Sequence, residues 1–388
     1  VAVIGAGIAG TAAAFELARH GERPSVFHDL AGSSSLYSGA VDLEPWDYAP
    51  STSASVLGSE LSQFSSELGV WELGNAFRRV ATLEGNVRPA RGTDRTILDL
   101  ERCAGKRIAV VDLERDDWDA PLLARSYAAS AWAIRTETHF YAADVRALQK
   151  GFERRISGYD FATLHDAPER TAQLLAALRE SEVTPDAWLF GPWLGIQRDV
   201  AAELSQALGV PVGETTSAVG GSAGARFEIA RDRLLSRVAD VTRTRLASVA
   251  PSGEGYRLEF STRAAEEFSA VVLATGGVAA GGVALERSFE RRGGTGFKLS
   301  FAAPVALELA AEFVEGVSSL SSIDFVDRGL GALLEVGIAT CSDGSVRTQP
   351  GLFVAGDAVA GRSRTALVAA RSGILAANAA LAHLRRFA

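Results

Sequence analysis

Gly5, Gly7 and Gly10 stand between the apolar run Val1-Ala2-Val3-Ile4 and a small, helix-compatible stretch carrying Phe15 and Leu17. G-x-G-x-x-G that ends a strand and opens a helix is an anion site. Gly5 makes the tight turn, Gly7 lets backbone approach a pyrophosphate, and Gly10 permits close helix–sheet packing. The N–H groups of the first turn, around Ile8 and Ala9, stand at the positive end of the helix dipole. Binding of a dinucleotide is the chemistry this pattern serves.

A ribose partner is expected about 20 residues further on, at the close of the second strand. That strand reads Pro24-Ser25-Val26-Phe27-His28-Asp29, with His28 where an acid is usual and Asp29 one place late. Strand side chains alternate faces, so either His28 donates to the ribose or a bulge brings Asp29 round. Residues 31–43 form a small, hydroxyl-rich loop. In a flavin-binding domain of this topology, Ser38 and Gly39 would offer N–H and hydroxyl groups to the pyrophosphate or the flavin ring. Ala270-Val271-Val272-Leu273-Ala274-Thr275-Gly276-Gly277 reads as a central parallel strand whose terminal Thr275 and Gly276 admit a ligand closely. Gly351-Leu352-Phe353-Val354-Ala355-Gly356-Asp357 gives a last strand, after which Gly356 and Asp357 are placed to meet a ribityl hydroxyl. The lesser alternative is that Asp357 caps the following helix. Arg362 and Arg364 abut that helix start and suit a phosphate or carboxylate. His139 and His165 are the histidines within reach of a role as base.

Helices and strands alternate along the rest of the chain. Helices are expected at 53–68 and near 71–80, then a basic loop at 88–92. Strand, helix and strand follow at 107–112, 120–134 and 139–142, then a helix at 168–180, a strand at 187–190 and a helix at 200–208. A helix at 227–239 precedes strand-like runs at 242–250 and 256–261, joined by the turn Pro251-Ser252-Gly253-Glu254-Gly255. A glycine-arginine loop at 291–296, a helix at 304–313 and a long alanine-rich helix at 366–384 complete the pattern. The expected fold class is α/β: a Rossmann-like flavin domain from 1–44, 226–287 and 341–388, with 45–225 and 288–340 inserted as an α/β or α+β substrate or partner domain.

Composition excludes several alternatives. With 388 residues, 47% of them hydrophobic, the chain can bury a large core. The net charge of −8 and the absence of basic runs argue against nucleic acid. Cys103 and Cys341 show no metal-ligand spacing, so no metal site is expected and the usage suits the cytoplasm. No apolar run reaches the ~18 residues of a membrane span, so membrane association would go through a partner.

In their order, G-x-G-x-x-G, A-T-G-G and G-L-F-V-A-G-D resemble the glutathione-reductase-type flavoproteins with two dinucleotide-binding folds. The Tyr37-Ser38-Gly39-Ala40-Val41-Asp42-Leu43 loop and Leu273–Gly282 are similar to the anaerobic glycerol-3-phosphate dehydrogenase family, in its B-type subunits. That resemblance implies oxidation of sn-glycerol 3-phosphate to dihydroxyacetone phosphate, with electrons passed through catalytic and membrane-anchor partner subunits to quinone. It also implies FMN, whereas a pyrophosphate loop favours FAD; FAD is expected, with FMN the alternative. The chain departs from the family at 216–224, where a proline-containing segment is usual, and at 361–365, where the final helix is usually approached through glycines. Two other readings stand beside this one: a flavin-binding electron-transfer protein without its own substrate, and an NAD-binding protein.

Overall fold

The computed structural model describes residues 1–29, 32–43, 58–282, 284–286, 298–300 and 337–386. The loop expected at 291–296 and the helix at 304–313 lie outside the described residues, as do residues 53–57.

Among the described residues, a five-stranded sheet runs in the order β10 (Asp240–Arg243), β2 (Ser25–His28), β1 (Ala2–Ile4), β14 (Val271–Leu273), β17 (Leu352–Val354), and every pairing is parallel. Period-two alternation sorts its side chains. Val3, Val26, Val272 and Phe353 face the helices α1 (Ile8–Arg19), α8 (Ser222–Val238) and α9 (Ala366–Leu384). Ala2, Ile4, Phe27, Val271 and Leu273 face an antiparallel meander of β11 (Leu246–Ser252), β12 (Gly255–Phe260) and β13 (Glu266–Phe268), whose Val249, Leu258 and Phe260 complete that layer. The fold class is therefore α/β, with a parallel sheet between helices and a meander.

A second parallel sheet, in the order β7 (His139–Asp144), β6 (Arg107–Asp112), β8 (Ala187–Phe190), β9 (Val212–Glu214), has its own core with Trp118, Trp132, Trp188 and Trp193. Around it lie α3 (Ala120–Ala128), α4 (Ala131–Thr136), α5 (Gly158–His165), α6 (Pro168–Glu180) and α7 (Val200–Leu208). A third sheet, β3 (Ala40–Val41), β5 (Val87–Asp94), β4 (Trp71–Ala81), is antiparallel, and α2 (Ser59–Leu68) lies between β3 and β4 in the chain. The short pair β15 (Ala284–Glu286) and β16 (Lys298–Ser300) is also antiparallel.

Three expectations are corrected. Residues 71–80 are strand, not helix: a register shift between Leu73 and Arg78 breaks the two-residue alternation, so the apolar spacing imitates a helix. Residues 88–92 are strand, not loop. Pro89 is tolerated because β3 pairs only with Gly92 and Thr93, leaving β5 without a second neighbour at the proline. The helix at 120–134 is two helices, because Ser130 begins a new one by accepting a hydrogen bond from Ala133 N.

One described helix, α9, is long and apolar enough to cross a membrane, a property that run length alone did not reveal. It is a core element here. Its Gly373 touches α1 so closely that a Cβ would lie 2.1 Å from Ala9 O, and Ala376, Ala377 and Ala380 are fully buried.

Candidate functional site

From β1 the chain moves outward to β2 and β10 on one side and, later, to β14 and β17 on the other. The strand order reverses between β1 and β14, and a crevice opens beyond their carboxyl ends, as doubly wound sheets require. The cleft there has a volume of ≈ 1040 Å³. That lies at the upper end of the range for small-molecule sites, roughly 300–1,000 Å³.

Gly5, Gly7, Ile8 and Ala9 line it, and Gly10 lies behind them. Gly5 has φ +107°, and a Cβ there would stand 2.2 Å from Ala274 O; a Cβ on Gly10 would stand 1.8 Å from Gly5 O. Gly5 must be glycine for the turn to pass the end of β14, and Gly10 for the helix to close against the turn. Ile8 N donates to Ser34 Oγ at 2.9 Å, so the loop after β2 reaches the first turn of α1. The remaining first-turn N–H groups have no partner within the helix.

His28 and Asp29 both line the cleft. β2 ends at His28 and pairs with β10 without a register shift, so Asp29 lies beyond the strand and reaches the rim with no bulge. Burial, helped by the Arg231 and Arg243 charges, pushes the His28 imidazole below its ordinary pKa. Thr244, Arg245, Leu246 and Ala247 form the adjoining wall.

Thr275 and Gly276 line the cleft from β14, and Gly356 and Asp357 from β17. Gly356 N donates to Ser372 Oγ of α9 at 2.7 Å, fixing this turn to the helix. Burial raises the Asp357 carboxyl above the usual carboxylate range, with the Arg364 charge opposing it. Asp357 does not cap α9, whose N-cap is Thr365. Thr365 and Ala366 themselves line the cleft, so the positive end of α9 points into it.

Ser38 is on the cleft wall, whereas Gly39 is buried behind it. Arg364 lines the cleft beside Asp357. Arg362 lies outside the lining and donates to Ser342 O at 3.0 Å. His139, exposed at the start of β7, and His165, buried with Nδ1 2.9 Å from Trp193 O, also lie outside it.

Sequence reasoning missed Ser34, Asp42 and the 244–247 wall. Asp42 pairs with Arg88 of β5 at 3.0 Å, and burial raises its pKa against that charge. The hydroxyl-rich loop signalled Ser34 and Asp42 in general. Nothing near 244–247 could have signalled that wall, since it is brought to β2 by Thr244 N donating to His28 O at 2.8 Å, a contact between distant parts of the chain.

No protein-family model and no curated protein matches this chain. Among solved structures, it is similar to glycine oxidase from Geobacillus kaustophilus, at 13% identity over 98% of this chain and 94% of that one, with a TM-score of 0.36. Iminodiacetate oxidase from Chelativorans sp. BNC1 gives 13% identity, 99% and 95% coverage and a TM-score of 0.33. Thioredoxin reductase from Lactococcus lactis gives 13%, 99% and 98%, and 0.23. At these TM-scores the likeness adds no argument to the strand order and the cleft.

Proposed function

We propose that this chain is a flavin-dependent oxidoreductase that binds FAD noncovalently along the cleft. The observation that carries the reading is continuity: one cleft is lined by the strand ends on both sides of the switch point, by the first turn of α1 and by the start of α9. FMN would leave the wall at His28, Thr244 and Arg245 without a ligand, so the length of the cleft favours the dinucleotide. When bound, the flavin accepts a hydride from a substrate carbon. The chain supplies the rest. First-turn N–H groups of α1 hold the pyrophosphate, Asp357 accepts from a ribityl hydroxyl, α9 turns its positive end to the ring, and Arg364 offers a guanidinium to a substrate anion.

Sn-glycerol 3-phosphate, implied by the sequence resemblance, is the substrate to test first; another small hydroxy or amino acid would use the same guanidinium. On this reading residues 45–225 and 288–340 form the substrate or partner unit. Electrons leave through partner subunits at the cytoplasmic face of a membrane. A second reading, a flavin-binding electron-transfer protein without its own substrate, is favoured by Arg362, which turns from the cleft to Ser342 O.

A visible spectrum during anaerobic addition of glycerol 3-phosphate separates the two. Bleaching of bound flavin supports the dehydrogenase. Flavin that stays oxidised with glycerol 3-phosphate and with small hydroxy and amino acids supports the electron-transfer protein. Protein purified without flavin, and unable to take it up, overturns both.

A further inference from the structure

A buried cluster of three charged side chains, Arg226, Asp94 and Glu214, lies off the cleft. Arg226, on α8, donates through Nε to Asp94 Oδ2 at 3.3 Å, through Nη1 to Gly195 O at 2.6 Å and through Nη2 to Glu214 Oε2 at 2.6 Å. Both carboxylates are fully buried. Thr96 stands between them: its N donates to Asp94 Oδ1 at 3.0 Å, and its Oγ1 lies 3.0 Å from that oxygen and 2.8 Å from Glu214 Oε2. Leu194 N donates to the other Glu214 oxygen. One guanidinium thus joins α8, the end of β5, the end of β9 and the loop after β8. Burial pushes the Glu214 carboxyl up and the Arg226 charge opposes it, so without Arg226 two carboxylates would share a dry site with no counter-charge.

The network ends on the cleft wall. Asp94 N donates to Gly39 O at 2.6 Å, and Ser217 N, three residues beyond Glu214, donates to Ser38 O at 2.7 Å. Tyr37 Oη donates to the same Gly39 carbonyl at 2.9 Å. Gly39, at φ +96°, is pressed so close that a Cβ would lie 2.5 Å from Ile97 Cδ1. The segment held this way runs on through Asp42, whose carbonyl accepts from Leu367 N at the start of α9. It therefore walls the half of the cleft between the first turn of α1 and the start of α9. The other half, at His28 and Thr244, is built on β2 and β10 and shares none of these contacts.

We propose that Arg226 is a positioning residue for that half: through Asp94 and Glu214 it ties the edge of the second sheet to the Tyr37-Ser38-Gly39 segment and so sets the wall against which the flavin ring lies. The proposal rests on the flavin reading above. The test titrates apo-protein with FAD and, separately, with ADP, for wild type, Arg226→Lys and Arg226→Met, and follows hydrogen exchange of residues 37–40.

Arg226→Met is expected to weaken FAD by about tenfold or more while leaving ADP binding as in wild type, with faster exchange at 37–40; Arg226→Lys is expected to recover part of the loss. Equal loss of FAD and ADP would mark Arg226 as a general structural residue and overturn the proposal, as would unchanged exchange at 37–40. Should Arg226→Met fail to fold, Thr96→Val keeps all three charges and removes only the bridging hydroxyl. A smaller but selective loss of FAD is then expected, and FAD affinity equal to wild type would overturn the proposal. Absence of FAD binding by wild type would instead sink the flavin reading, a result distinct from unchanged exchange in the variant.

Discussion

The two parallel sheets share a topological feature and use it in opposite ways. Each reverses its strand order next to its first strand, between β1 and β14 in one and between β6 and β8 in the other, so each should open a crevice at its carboxyl edge. In the first sheet the strands end in Gly5, Thr275, Gly276 and Gly356, and the crevice is the cleft. The second sheet ends in large side chains. Trp193 folds over Gly191, where a Cβ would lie 2.4 Å from its ring, and meets Trp118 edge-on at 5.2 Å. Arg115 sits over the Phe161 and Trp193 rings and donates to Glu153 O and Ile156 O, both at 2.7 Å. Topology provides the place for a ligand, and the side chains at the strand ends decide whether it is open. A plugged edge is free for another task, here the support of the cleft wall through Glu214.

The sharpest way to break this comparison is to unplug the second sheet. Trp193→Ala removes a buried indole from the seal and should cost about 3–5 kcal/mol of stability in denaturant melts. FAD affinity of the protein that remains folded should be that of wild type. Loss of FAD binding at full folding, with hydrogen exchange at residues 37–40 as in wild type, would mean the second crevice contributes to the ligand site, and the contrast would fail.

A comparable effect is expected from pH. Burial pushes the His165 imidazole down to about 4, while an unfolded chain protonates it near 6.5. Folding therefore excludes a proton, and the stability present above pH 6.5 is lost as the pH falls from 6.5 towards 4, in total up to about 3 kcal/mol. Melts of wild type and His165→Gln across that window check it. The variant should show the flatter profile, and parallel profiles would remove His165 from the account of the second core.

The smallest expected effect falls on the open sheet. Asp357→Ala deletes a charged acceptor from the cleft and should weaken FAD by roughly 1.5–3 kcal/mol, on the order of tenfold or more, with the melting profile little changed. Equal FAD affinity in variant and wild type, measured by titration of apo-protein, would leave Asp357 without a part in the site.

Much of the first sheet was legible because its signals are local. A strand, a glycine turn and a helix start occupy ten consecutive residues, and their meaning depends on spacing alone. The glycines at the ends of β14 and β17 could be read the same way. The third sheet was not legible, since its bulge at 73–78 hides the alternation and Pro89 imitates a loop until its neighbour strands are known. Ser34 lies 26 residues from the N–H group it meets, and Arg226 lies 132 residues from Asp94. No periodicity reports such distances.

Local sequence set the anion-binding turn, the apolar strands that make a parallel sheet, and the residue types at each strand end, because backbone sterics and side-chain alternation act over a few residues. Long-range packing settled which strands became neighbours, which crevice stayed open, that Arg362 turned away while Arg364 faced the cleft, and that two buried carboxylates met one guanidinium. Those outcomes depend on packing between segments far apart in the chain, where a few tenths of an ångström separate contact from clash.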